Sequence, residues 1–97
     1  MSTTFIATLV VKPGMEERFE KLQAELSRLT HAEEPDTLAY DVIRHRTEPR
    51  SYVVYARFRN EAAFQLHQTT KFHERLVPPI VECLAEPFAI AFYDWKS

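Results

Sequence analysis

The fold is decided by residues 52–67, which read YVVYARFRNEAAFQLH. Residues 52–58 are rich in aromatic and β-branched side chains and predict a β-strand. Asn60 follows as a predicted helix N-cap, and the helix after it carries His67 on the same stripe as Phe64. A strand therefore leads into a short helix whose inner face bears a titratable histidine.

Five more elements flank this unit. Residues 5–11 and 88–95 predict strands that are apolar on both faces. Residues 37–46 predict a strand whose side chains alternate between its two faces. A last helix is predicted over residues 72–84, kinked or interrupted at Pro78-Pro79 because proline lacks the backbone N–H. Near the N-terminus, an amphipathic helix is predicted from the stripe Met15, Phe19, Leu22, Leu26 and Leu29.

The order of these elements predicts a single α+β domain over residues 1–97. The short turn at residues 47–50 joins two strands as a hairpin, and right-handed crossovers complete a βαββαβ ferredoxin-like sandwich. One layer of helices covers only one face of such a sheet, whereas the first and last strands are apolar on both faces. A second copy of the chain is the simplest cover for the other face, so a homodimer is expected.

Composition and charge exclude several classes of function. Acidic and basic residues are interspersed and the net charge is -2, so no basic surface for nucleic acid is expected. No apolar run approaches the ~20 residues of a membrane span, and the first residues lack the charged region of a signal peptide. The single cysteine, Cys83, cannot form an internal disulfide. These features predict a cytoplasmic protein with no nucleic-acid or membrane partner.

Few residues can carry chemistry, and neither a cofactor nor a metal site is predicted. Gly14 is the only glycine, which excludes a glycine-rich phosphate loop, and no histidine or cysteine pair has the spacing of a zinc site. His67 has two interpretations. It is either a core-edge histidine bonded to a backbone carbonyl or a pocket histidine that takes a proton from a ligand. His73 follows the inward-facing Phe72 and is expected at the surface or the helix edge.

Several segments resemble the antibiotic biosynthesis monooxygenase family of dimeric α/β-barrel proteins, which includes quinol monooxygenases. Residues 34–42, EPDTLAYDV, are similar to the family's E-P-G-x-x-x-Y segment. Residues 52–67, followed by Thr70 and Phe72, look like its aromatic strand, its helix start and its H-x-x-S/T segment. Residues 11–14, VKPG, also match, so the resemblance covers nearly the whole chain.

The resemblance implies a homodimer packed through its sheets, with a ligand cavity between sheet and helices in each subunit. It also places His67 on the family's helix histidine. The chain departs from the family at three positions, because Ala56, Phe72 and Asp36 stand where many members carry glutamate, a second histidine and glycine. The first strand lacks the asparagine of the haem-degrading members, so haem is not expected.

The resemblance implies a cofactor-independent monooxygenase that oxidises a small electron-rich aromatic, a phenol or hydroquinone, with O2. His67, with Tyr40 or Tyr55, is the predicted catalytic group. The predicted pocket residues are Val54, Ala56, Phe58, Phe64 and Phe72. The resemblance implies that the deprotonated substrate itself reduces O2, without metal or flavin. Two alternatives stay open, a non-catalytic ligand-binding or stress-associated dimer and an isomerase in which His67 moves a proton between carbons.

Overall fold

The computed structural model describes all residues, 1–97, as a four-stranded sheet with three helices. The strands are β1 (Thr3–Val10), β2 (Thr37–Arg44), β3 (Ser51–Phe58) and β4 (Ala89–Tyr93). The helices are α1 (Glu16–Glu33), α2 (Glu61–Thr69) and α3 (Lys71–Glu82). The order across the sheet is β2-β3-β1-β4, and all neighbouring strands are antiparallel. The predicted ferredoxin-like α+β fold is confirmed, and the sheet of the single chain is open.

The strand ends differ from the prediction because pairing, rather than apolar character, sets them. β1 begins at Thr3 instead of residue 5, since Thr3 and Thr4 still pair with Phe58 and Arg57 of β3. β2 ends at Arg44 rather than at residue 46, where the turn towards β3 begins. β4 is confined to the five residues that pair with β1, its only neighbour in the sheet.

The buried face of α1 is rotated relative to the predicted stripe. Its fully buried residues include Phe19, Gln23 and Leu26, whereas Leu22 and Leu29 are only partly buried at the edge of the core. Gln23, a polar residue, thus occupies the inner position that the predicted hydrophobic stripe gave to Leu22. This shift brings an amide group to the space between α1 and the sheet.

Two helices connect β3 to β4, as the sequence predicted, and the second is not interrupted at Pro78-Pro79. Asn60 caps α2 as predicted, because its side chain accepts a 2.9 Å hydrogen bond from a backbone N–H of the first turn. Thr70 leaves helical geometry and caps α3. α3 then continues through Pro78-Pro79, which removes two backbone donors without ending the helix.

β4 is the strand with the least cover. All five of its residues are exposed, and register places Ile90 and Phe92 on the helix side of the sheet and Tyr93 on the other side.

None of the three helices combines the length and the apolar character that crossing a membrane requires. The cytoplasmic location stays a prediction.

Candidate functional site

A cavity of about 400 Å³ lies between the sheet and the helices. Phe5, Val54 and Phe92 line it from the sheet, and Val77 and Ile80 line it from α3. Most of the lining residues are hydrophobic, and the side chains with nitrogen atoms are Gln23, His67, Gln68 and His73. An apolar cavity with a few polar groups is typical of a small-molecule site.

His67 reaches the cavity from α2 and is held there by a buried carboxylate. Its Nδ1 lies 3.0 Å from both carboxylate oxygens of Glu34, and the two side chains are only 3% and 4% exposed. Since an ionised carboxylate can only accept hydrogen bonds, Nδ1 carries the hydrogen that binds Glu34. Nε2 has no hydrogen-bond partner within the chain and is left available to a ligand. The partner of His67 is therefore a carboxylate and not a backbone carbonyl.

The end of α1 sets the position of Glu34. Pro35 disfavours helical geometry at the preceding residue, and Glu34 has φ of -121° and ψ of 89°. Its N–H still bonds to the carbonyl of Thr30 at 3.0 Å, and its carboxylate accepts a 2.8 Å hydrogen bond from the hydroxyl of Thr37. The buried carboxylate thus has two partners, Thr37 and His67, which offset the cost of its desolvation.

His73 is half-buried at the start of α3, where it lies beside His67 and lines the cavity. The two ring centres are 4.8 Å apart, because the chain changes direction at Thr70, whose hydroxyl donates to the carbonyl of His67 and accepts from the N–H of His73. Burial, and next the charge of His67, lower the pKa of His73 to about 4. His73 is therefore neutral at neutral pH.

The two tyrosines predicted to act with His67 lie on opposite faces of the sheet. Tyr40 is 4% exposed, lines the cavity, and has its ring centre 5.4 Å from that of His67. Burial, and next the carboxylate of Glu34, raise the pKa of Tyr40 well above its ordinary value. Tyr40 therefore stays protonated and can donate a hydrogen bond. Tyr55 pairs with Ile6 on the face away from the helices, so the structure does not bring it to the cavity.

The predicted pocket residues fall into two groups. Val54 and Phe64 line the cavity. Ala56 and Phe58 share their strand face with Val54 but are fully buried in the core, where the ring of Phe58 packs 5.2 Å from that of His67. Phe72 packs against the edge of the core. The second group supports the site without lining it.

The sequence-based prediction missed two residues of the site, although each has a signal in the sequence. Glu34 entered the sequence analysis only as the first residue of the segment 34–42, with no role of its own, yet the proline after it indicates that the backbone leaves helical geometry there. Gln23 lies four residues after Phe19 and three before Leu26, which is the spacing of an inward-facing position.

The arrangement can accept a proton from a ligand inside an apolar cavity. Nε2 of His67 is the acceptor, Glu34 stabilises the imidazolium that forms, and Tyr40 can donate a hydrogen bond to the resulting anion. No group of three or more histidine, cysteine, aspartate or glutamate side chains is placed to hold a metal ion. A carboxylate–histidine pair facing an apolar cavity is compatible with a general base, because a histidine can take a proton near neutral pH.

Comparison with known proteins gives the family. The model of the antibiotic biosynthesis monooxygenase family matches residues 3–78. The chain belongs to this family, as the sequence segments predicted. No curated protein matches the sequence.

Solved structures share the fold over nearly the whole chain. A candidate antibiotic biosynthesis monooxygenase from Caulobacter crescentus is 26% identical, with a TM-score of 0.94 over 99% of this chain and 91% of that one. A protein from Pseudomonas aeruginosa is also 26% identical, with a TM-score of 0.87 over 99% and 95% of the two chains. SnoaB from Streptomyces nogalater, a cofactor-independent oxygenase, is 18% identical, with a TM-score of 0.86 over 99% and 94%. The similarity to SnoaB establishes only that the two proteins share a fold.

Proposed function

We propose that this protein is a cofactor-independent monooxygenase that oxidises a small electron-rich aromatic, a phenol or hydroquinone, with O2. The observation that carries the proposal is the buried pair of Glu34 and His67 at the wall of an apolar cavity. The apolar surface suits an aromatic ring, and Nε2 of His67 suits the proton of its hydroxyl. Membership of the family supports the reaction class.

Proton transfer is the first step of the proposed reaction. The phenolic hydroxyl donates its proton to Nε2 of His67, and the imidazolium is stabilised by Glu34, 3.0 Å from Nδ1. The hydroxyl of Tyr40 can donate to the phenolate oxygen. In a cavity with few polar groups the phenolate has little solvation apart from these contacts, which strengthens its interaction with the imidazolium.

Oxidation follows from the electron-rich phenolate. It transfers electrons to O2, a C–O bond forms at a ring carbon, and the O–O bond and the C–H bond at that carbon break, while the proton held by His67 and the ring proton pass to the departing oxygen. One oxygen atom becomes the new quinone carbonyl and the other leaves as water, so that a phenol and O2 give a quinone and H2O. The substrate supplies all four electrons that O2 takes up, and no further reductant is needed.

Oxygen consumption tests this function. We expect the protein, in the presence of a chelator, to consume one O2 for each molecule of a phenol or hydroquinone from a panel. We also expect one atom of ¹⁸O from labelled O2 in the product, measured by mass spectrometry. Binding of these aromatics without oxygen uptake would contradict the monooxygenase and favour the ligand-binding dimer. Solvent deuterium in recovered substrate carbon, without oxygen uptake, would favour the isomerase.

We also propose that the protein is a homodimer packed through its sheets. On the face away from the helices, Tyr93 and Ile43 are 52% and 59% exposed, and Trp95 beyond the end of β4 is 49% exposed. Exposed apolar side chains on one face favour burial against a second copy. Closing two open sheets on each other would form the dimeric α/β barrel expected from the family resemblance.

Light scattering is expected to give about twice the chain mass of 11.4 kDa. Tyr93→Glu is expected to shift the particle to the monomer mass, because it would bury an unpaired charge in the dimer. Leu66→Glu is the matched control, since Leu66 is 57% exposed on the outside of α2 and lies away from the sheet face. A monomer mass for the unmodified protein, or a dimer that tolerates Tyr93→Glu as well as Leu66→Glu, would contradict this interface.

A further inference from the structure

We propose that His73 is a catalytic residue that donates a hydrogen bond to the outer oxygen of the peroxide formed on the substrate ring. His73 thereby directs O2 into the product and prevents its release as hydrogen peroxide. This inference rests on the proposed function for the reaction itself. His73 is half-buried in the first turn of α3 and lines the cavity. Its ring makes no hydrogen bond within the chain, and its nitrogen atoms keep accessible surface.

The inner face of α3 singles out His73. His73, Val77 and Ile80 follow one another at spacings of four and three, which is the pattern of one helix face, and all three line the cavity. Val77 and Ile80 pack against the core, and an apolar side chain at position 73 would continue this packing. A polar ring on this face, without a partner in the chain, is best explained by a contact with a molecule inside the cavity.

The chain holds His73 next to the proposed base. The ring centres of His67 and His73 are 4.8 Å apart, and their planes meet at 76°. Thr70 fixes this arrangement, because its hydroxyl donates to the carbonyl of His67 at 3.1 Å and accepts from the N–H of His73 at 3.3 Å. The two imidazoles therefore approach a ligand side by side. A substrate hydroxyl at Nε2 of His67 places the neighbouring ring carbon near His73.

The protonation state of His73 suits a hydrogen-bond donor. Burial, and next the charge of His67, lower the pKa of His73 to about 4, so the ring is uncharged at neutral pH and keeps one N–H donor. A donor fixed beside a developing negative charge on oxygen stabilises that charge. A second imidazolium would instead repel the one that forms at His67. His67 thus takes the phenolic proton, and His73 binds the reduced oxygen.

The reaction of hydroquinone shows what the contact controls. Its anion passes an electron to O2, and a C–O bond then forms at the ring carbon next to the deprotonated hydroxyl, which leaves the negative charge on the outer oxygen. With that oxygen held by His73, the O–O bond breaks, and the proton from His67 and the ring proton complete a water molecule. Hydroquinone and O2 give 2-hydroxy-1,4-benzoquinone and H2O. Without the contact the reduced oxygen escapes, and hydroquinone and O2 give 1,4-benzoquinone and H2O2, a transfer of two electrons.

The ratio of hydroxyquinone to H2O2 tests this role. Hydroquinone is the probe, and a protein-free blank is subtracted because hydroquinone reacts slowly with O2 by itself. The oxygen returned on addition of catalase measures H2O2. We expect the unmodified protein to form mainly hydroxyquinone, with one atom of ¹⁸O from labelled O2. His73→Phe keeps an aromatic ring but has no N–H. Its ratio is expected to fall about tenfold, the effect of losing one hydrogen bond to a charged group.

Two further variants separate the N–H group from packing. His73→Gln supplies an N–H donor from an amide and is expected to keep most of the hydroxyquinone yield. Glu74→Gln changes the next residue, which is exposed on α3, and is expected to leave the ratio unchanged. If His73→Phe does not fold, His73→Leu removes the same donor with a smaller side chain. An unchanged ratio in the variant without a donor, or an equal fall in His73→Gln, would overturn the proposal.

The unmodified protein separates this inference from the proposed function. If it consumes O2 and incorporates ¹⁸O, but the variants without a donor do so with the same ratio, the monooxygenase stands and the role of His73 fails. If it takes up no O2, or takes up O2 without incorporating ¹⁸O, the monooxygenase fails and the role of His73 fails with it.

Discussion

Replacing His67 by alanine is expected to lower turnover of a phenolic substrate by about 10²–10⁴-fold. His67 is the group in the cavity that can take the phenolic proton, since the pKa of neighbouring His73 is lowered to about 4 and Tyr40 keeps its proton. Steady-state oxygen uptake measures the loss. Added imidazole is expected to restore part of the activity, because the substitution leaves space beside Glu34 for a free imidazole.

His45→Ala is the control, because it removes a histidine that lies away from the cavity. His45 is exposed in the turn between β2 and β3, where its Nδ1 accepts hydrogen bonds from the N–H groups of Thr47 and Glu48. The turnover of the His45→Ala variant is expected to match that of the unmodified protein. If His67→Ala loses thermal stability but keeps its turnover per folded molecule, His67 is a structural histidine and the proposed base is wrong.

Glu34→Ala is expected to lower the free energy of unfolding by about 1–3 kcal/mol for each buried donor left without its acceptor. The imidazole of His67 and the hydroxyl of Thr37 both lose their acceptor in this variant. Since small domains are stable by only about 5–15 kcal/mol in total, urea unfolding curves will show the change clearly. Turnover is expected to fall as well, because the imidazolium loses its counter-charge.

The neighbouring residue Glu33 offers a closely matched comparison. Glu33 is exposed on the last turn of α1 and has no hydrogen bond or ion pair from its side chain. Glu33→Ala is therefore expected to change the free energy of unfolding by no more than about 0.5 kcal/mol. Equal stability of the two variants would mean that the contact between Glu34 and His67 contributes nothing to folding.

Much of the fold could be predicted because it follows from local pattern. The two faces of β3 are visible in its alternation, but the pattern did not show which face is buried; in the structure the buried residues are Tyr52, Val54, Ala56 and Phe58. Asn60 marked the start of α2 correctly. The ends of β1 and β4 could not be fixed in this way, since they depend on which residues find partners in the sheet.

The site could be predicted only in part, because its key contact joins distant segments. His67 was singled out because it breaks an apolar stripe, which is a local signal. Its partner Glu34 lies 33 residues earlier, and nothing in the sequence indicates that the two side chains meet. The approach of His73 also depends on the change of direction at Thr70, whereas a continuous helix would have separated the two rings.

The position of Glu34 has a consequence for the order in which the site assembles. Its contacts with Thr30 and Thr37 close loops of only a few residues, and short loops close at little entropic cost. The imidazole of His67, by contrast, can reach the carboxylate only after the β2–β3 hairpin and α2 are in place. The contacts of Glu34 with Thr30 and Thr37 are thus local in sequence, whereas its contact with His67 joins segments 33 residues apart. We therefore expect a chain in which β2, β3 and α2 are not packed together to be inactive, because its histidine lacks the carboxylate partner.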